Sequence, residues 1–366
     1  MLLARIKSRI TRSIKTRYHR LRYVRGLVYR RWYYALRVRL ALSSKIKIGF
    51  GPVTTAEDDL AERKWRIDPV VNAINKESGR FRAGIFFTPE EMAQFDMIVV
   101  VKKFNPSYFP VISALKKAGK RFVYDIIDNP NCGPPHDYYY SEHPELISNM
   151  DGFILSTPLH RYFVSQFNKP SILIEHPVIH SVFKNKYESN TVTILAHGYY
   201  ENLKSLKYLE PLIVSVAKET NQKIVLCYHS EVVFEDTEHI KYVKWTVDNC
   251  FEIMRDVDVA ISIKQLDVLH QKTKPSTKVI AFMAAGLPVI CFPSVADRMI
   301  VNHGVNGFFA YNEEDWRKYL TMLVINPLCR KQIGKAARAS VIREYSVSSM
   351  VARYLNLFEE VLNERV

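Results

Sequence analysis

From Lys45 onward, apolar residues fall in runs of four to seven, rich in Val and Ile, that alternate with stretches of helical, amphipathic spacing. A run apolar at consecutive positions predicts a strand covered on both faces, which is the signature of a parallel sheet between helices. The first half offers such runs at 47–51, 83–87, 97–102, 122–127, 153–156 and 172–174, with amphipathic segments at 59–76 and 106–117 between them. The second half offers 191–197, 223–228, 240–245, 257–263, 287–292 and 307–310, again separated by helical patterns. The halves join near His176–Tyr187, where His176-Pro177 leads into a polar stretch. The pattern predicts an α/β chain of two Rossmann-like domains. Ligands of such sheets bind beyond the strand carboxyl ends, so two facing sheets place the site in the cleft between them.

Charge changes the picture at one end only. Residues 1–44 hold thirteen Lys and Arg and no acid, while the whole chain is +15, leaving about +2 for the rest. Within this arm Leu3, Ile6, Ile10, Ile14, Tyr18, Leu21, Val24, Val28, Trp32, Leu36 and Leu40 step by three and four, an apolar stripe on a cationic helix. Such a helix suits an anionic membrane surface. It also suits docking on the chain's own body or on a partner, and basic arms serve in nucleic-acid binding and organellar targeting as well. The near-neutral body carries no base-stacking or groove-reading motif, which argues against nucleic acid as the partner. Five scattered cysteines without a Cys-x-x-Cys pair point to reduced thiols in a cytoplasmic setting. No apolar run approaches the roughly 18 residues of a membrane-spanning helix, so the expected location is peripheral, on the inner face of a membrane.

The motif KPSTKVIAFMAAGLPVI (Lys274–Ile290) is followed by GVNGF (Gly304–Phe308), a helix at Glu313–Val324, and Ala336–Tyr345 running into a last helix. This order resembles the C-terminal half of the retaining glycosyltransferases of family 4, two-domain enzymes of the double-Rossmann (GT-B) type. GKRFVYDIID (Gly119–Asp128) is similar to that family's acceptor-domain strand end, and Thr193–Leu206 to the first strand of its donor domain. Beyond the basic arm at 1–44, the resemblance implies an acceptor domain at 45–178, a donor domain at 179–345, and a helix at 346–366 that crosses back to the first domain. It implies transfer of a sugar from a nucleotide-sugar, with retention, and a basic arm on a membrane suggests a lipid-linked or cell-surface glycan as the acceptor. No cofactor and no metal are expected.

The resemblance also assigns residues. Lys204, after the His197-Gly198 turn, matches the family's diphosphate-binding lysine. Lys274 and Lys278 flank Ser276 and Thr277 at the start of a helix, where free N–H groups and the helix dipole favour an anion. The plainer alternative is that Ser276 caps the helix and the lysines are solvated. On the acceptor side Asp125 and Asp128 end a strand and His136 lies in the Pro/Gly-rich loop beyond it, placed to orient or deprotonate a hydroxyl. The alternative for the carboxylates is loop capping or an ion pair with Lys102 or Lys103. The sequence departs from the family where two glutamates usually stand: those positions are Thr273 and Ala281. That loss leaves open a non-catalytic scaffold recruited by its arm. Asp256-Val-Asp258 precedes a strand rather than following one and reads as a helix end, and His176 and His180 make only a weak metal signal.

Overall fold

The structure, a computed structural model, describes residues 43–53, 63–102, 108–127, 147–180, 182–184, 187–246, 249–264 and 269–364. The arm up to residue 42, and with it the membrane-facing stripe, lies outside the described residues, as do Asp128 and His136.

Two six-stranded sheets, parallel in every pairing, form the body. The first contains β1 (Ile46–Gly51), β2 (Phe81–Ile85), β3 (Met97–Val101), β4 (Arg121–Ile126), β5 (Gly152–Leu155) and β6 (Ser171–Leu173), in spatial order β2-β1-β3-β4-β5-β6. The second contains β7 (Thr191–His197), β8 (Lys223–Ser230), β9 (Ile240–Lys244), β10 (Val259–Ser262), β11 (Val289–Cys291) and β12 (Phe308–Phe309), in order β12-β11-β10-β7-β8-β9. The central β3 is buried along its whole length, as its MIVVV sequence requires of a strand covered on both sides. Strand order reverses between β1 and β3 in one sheet and between β7 and β10 in the other. Those reversals open the crevices in which α/β sheets bind ligands.

Helices fill the connections: α1 (Asp68–Glu77), α2 (Phe109–Lys117) and α3 (Pro158–Val164) in the first half, then α4 (Tyr200–Leu203), α5 (Glu210–Thr220), α6 (Leu269–Lys272), α7 (Thr277–Ala284), α8 (Glu313–Ile325) and α9 (Pro327–Tyr345). Local chemistry sets the long ones. Asn312 accepts a hydrogen bond from the Asp315 amide at 2.9 Å and Asn326 one from the Cys329 amide at 2.9 Å, with three acids in the first turn of α8 and Pro327 opening α9. Helices α7 and α9 cross closely. A Cβ on Gly334 would overlap the Gly286 carbonyl, and Gly286 itself sits at φ +79°.

The last helix, α10 (Val347–Asn363), begins at a Ser346 cap and buries Met350, Val351, Tyr354, Leu357, Phe358 and Val361, one stripe at helical spacing. That stripe meets the first domain, with Tyr354 and Phe358 edge-on to Phe50 at 6.1 and 6.2 Å. The outgoing and returning crossings lie side by side, for the Val178 amide donates to the Tyr345 carbonyl at 2.7 Å. One apolar cluster runs through both domains at this junction, including Ile174, Val182, Val279, Tyr345 and Val351.

Candidate functional site

The reversal between β7 and β10 gathers three segments of the second domain: the turn after β7, the segment after β10, and the N-terminus of α7. β7 ends in His197, and Gly198 follows at φ +140°, a conformation that side-chain-bearing residues rarely adopt. A Cβ built on Gly198 would stand 2.8 Å from the Lys278 Nζ. The glycine thus lets the ammonium group of α7 come against the backbone of the β7 turn. Gln271 Nε2 donates to Asn202 Oδ1 at 2.5 Å, closing the two segments on each other a second time.

Lys278 makes no hydrogen bond to any of the described residues. Burial lowers its pKa to about 8, with the positive charges of Lys274 and Lys264 acting the same way and Asp297 acting against them. A half-buried cation crowded by like charge is a site that gains from an arriving anion. The N-terminus of α7 has no side-chain cap, so its own N–H groups and dipole add to the attraction.

The hydroxyls expected to greet that anion are otherwise engaged. Ser276 does not cap α7; its Oγ donates to Asp297 Oδ1. Lys264, 8% exposed, sits in the same knot, 3.3 Å from Asp297 Oδ1, 3.0 Å from Ser294 Oγ and 3.2 Å from the Lys274 carbonyl. Asp297, 1% exposed, offsets the charge of Lys264 in this knot. Thr277 Oγ1 pairs with His176 Nδ1 at 3.1 Å, a histidine that burial, with Arg66 and Lys102 nearby, keeps neutral.

That pairing is one of two by which the interdomain segment grips α7. Glu175, also buried, accepts from the Ser276 amide at 3.4 Å, and its other oxygen has no partner. Desolvation raises the Glu175 pKa to about 8 against the pull of Lys264, so it stays protonated at neutral pH. His180 stacks on Phe251 at 4.5 Å and meets the Ala281 carbonyl at 3.1 Å, a packing role.

Several sequence expectations need correction. Asp125, expected to serve an acceptor hydroxyl or to pair with Lys102 or Lys103, is 1% exposed and gives both oxygens to Arg66, each at 2.7 Å. Arg66 also donates to the Ile174 carbonyl at 3.0 Å, so this ion pair ties β4 to the interdomain segment. Lys204, expected to bind the diphosphate, opens the 3-10 turn Lys204–Leu209, and its ammonium pairs with Glu201 at 2.7 Å. Asp256-Val-Asp258 does lie between a helical turn (Glu252–Arg255) and β10, as its sequence reads, with Asp258 accepting from the Thr193 amide at 2.9 Å and pairing with Lys184 at 3.1 Å. Sequence reasoning missed Lys264, Asp297, Glu175 and Arg66. A signal existed for Lys264, which leaves β10 at the strand reversal, where crevice residues arise; none existed for the others, whose partners are distant in sequence.

No protein-family model matches the chain, and no curated protein matches it in sequence. Solved structures match in fold. TarM superposes with a TM-score of 0.56 at 16% identity over 72% of this chain, which spans 54% of TarM's length. HepE from Anabaena, solved with UDP and glucose, gives 0.58 at 11% identity over 86% of this chain and 99% of its own. A glycosyltransferase from Rickettsia africae gives 0.59 at 13% identity over 88% of this chain and all of its own. The chain therefore has the two-domain GT-B fold. Among the described residues no helix is long and apolar enough to cross a membrane, and no group of three metal-ligating side chains gathers.

Proposed function

We propose that the protein is a glycosyltransferase that moves a sugar from a nucleoside-diphosphate donor to a hydroxyl of a lipid-linked or cell-surface glycan, with retention at the sugar carbon. The observation that carries this reading is Lys278, an ammonium group without a hydrogen-bond partner among the described residues, seated against Gly198 at the strand reversal of the donor-side sheet. In the reaction the bond from the sugar C1 to the β-phosphate oxygen breaks and a bond from C1 to the acceptor oxygen forms. Negative charge grows on the departing diphosphate. Lys278, Lys274 and the α7 N-terminus stabilise it from fixed positions, as transition-state electrostatics demands. Lys204 joins them when it exchanges Glu201 for phosphate. These lysines supply the positive charge that other transferases draw from a metal ion, so no metal is assigned.

The departing phosphate takes the acceptor proton itself, or Asp128 or His136 takes it; the resemblance to family 4 supports Asp128 on the acceptor side, and His136 follows in the loop beyond that strand end. Asp125 acts through Arg66 as a positioning residue. Residues 1–44 hold the protein on the cytoplasmic face of an anionic membrane, near a lipid-linked acceptor. HepE with bound UDP and glucose supports a UDP-linked donor.

The absence of carboxylates at Thr273 and Ala281 favours a second reading, a GT-B scaffold without catalysis. Incubation of the purified full chain with UDP-, GDP-, ADP- and CMP-linked sugars separates the two. Release of one nucleotide product, at least tenfold slower in Lys278→Ala and Lys204→Ala, supports the transferase. Silence from the whole panel, together with no binding, supports the scaffold.

A further inference from the structure

His197 at the end of β7 stands opposite His229 on β8. Their Nδ1 atoms are 3.0 Å apart, so one donates and the other accepts. A third residue decides which. Asn249 donates through Nδ2 to the Lys244 carbonyl at 2.9 Å and accepts at Oδ1 from the Thr246 amide at 2.8 Å, which fixes the orientation of its side chain. The same Oδ1 lies 3.1 Å from His229 Nε2, so that ring nitrogen carries a proton. His229 is wholly buried, and burial lowers its pKa and keeps it neutral. Its Nδ1 is therefore bare and accepts from His197 Nδ1–H. Burial, then His229 and the Lys278 charge, likewise keep His197 neutral. The Nε2 of His197 is left with a lone pair and no partner among the described residues.

The donor crevice thus holds, one residue before Gly198 and within the field of Lys278, a neutral hydrogen-bond acceptor whose proton has been fixed on the far side of the ring. A phosphate oxygen has no proton to offer it. A hydroxyl has one. We infer that His197 determines donor specificity, its Nε2 accepting a hydrogen bond from a hydroxyl of the bound nucleotide-sugar, on the ribose or on the sugar to be transferred. This inference rests on the donor-site reading above. His229 and Asn249 are positioning residues that act through it.

Two measurements on the full chain test it. In a long-range proton–nitrogen spectrum of histidine-labelled protein, His197 shows the Nδ1–H tautomer and does not titrate between pH 6 and 8; Asn249→Leu, which releases the relay, changes that signature. Calorimetric titrations then compare UDP with UDP-glucose. His197→Asn keeps a donor toward His229 but deletes Nε2, and His197→Gln returns an acceptor near the Nε2 position. A sugar hydroxyl as partner predicts about a tenfold loss of UDP-glucose affinity in His197→Asn with UDP unchanged, and a ribose hydroxyl predicts about the same loss for both; His197→Gln recovers to within about threefold in either case. An Nε2–H tautomer, or a His197→Asn protein that binds both ligands as the parent does, overturns the inference. A folded parent protein that binds neither ligand overturns the donor-site reading and this inference with it.

Discussion

The Lys278 ammonium and Gly198 approach so closely that a single carbon added to the glycine would stand 2.8 Å from Nζ. This relationship makes a glycine at the strand exit and a lysine eighty residues later into one feature. The bare turn gives the cation room, and among the described residues the cation has no hydrogen-bond partner. Gly198→Ala is expected to push the flexible lysine end aside and to strain a backbone at φ +140°. Diphosphate affinity measured by calorimetry should fall at least tenfold, while urea unfolding shows a stability loss of about 1–2 kcal/mol.

Lys278 also sets a conflict between stability and binding. Its folded pKa of about 8 lies below the ordinary lysine value, so between those two values the unfolded chain holds more protons and stability rises with pH. Below pH 8 that contribution is gone. Lys278→Met, which keeps the length and removes the charge, is expected to stabilise the ligand-free protein at pH 7 by about 1–3 kcal/mol. Denaturant unfolding at pH 7 and pH 10 checks both parts, because the gain should shrink at the higher pH.

Glu175 has the opposite sign. Its folded pKa is raised by burial from 4.5 to about 8, so the folded state holds more protons across that interval and the associated stability is lost as pH rises through it. Glu175→Gln keeps an acceptor for the Ser276 amide and cannot ionise. Unfolding free energies measured from pH 5 to pH 8.5 should decline less steeply in the variant, which should be the more stable of the two at pH 8.5.

The Arg66–Asp125 pair distinguishes a structural carboxylate from a catalytic one. Both partners are 1% exposed, and removal of one leaves the other charged and unpaired in the interior. Asp125→Asn and Arg66→Leu should each cost about 3–5 kcal/mol in chemical unfolding, and the double variant less than the sum of the two. A general base at Asp125 would instead predict an Asp125→Asn protein of unchanged stability that has lost only turnover.

The twelve strands were legible because each is an apolar run of limited length bounded by polar residues, from Lys47–Gly51 to Gly307–Ala310. The last helix was legible for a similar reason, since its buried residues keep helical spacing from Met350 to Val361. The place of Lys274 and Lys278 at the start of α7 was legible through the family-like order around them. Their electrostatic setting was not, because it depends on Lys264 and Asp297, which meet across 33 positions in a buried knot. The Asp125 partner was unreadable for the same reason: Arg66 lies 59 residues away, and the nearer Lys102 and Lys103 satisfied the local pattern equally well. The Ser276 contact was unreadable for the same reason, since neither an anion nor the following turn takes its hydroxyl but a buried aspartate 21 residues on.

Calorimetric titration of the full chain with UDP at pH 8, in two buffers of different ionisation enthalpy, tests the donor cradle most directly. Binding should hold Lys278 in its charged form, so the account predicts a single site with uptake of up to about half a proton, and loss of that binding in a folded Lys278→Met protein. Equal affinity in Lys278→Met, or binding to the parent without proton uptake, would contradict it.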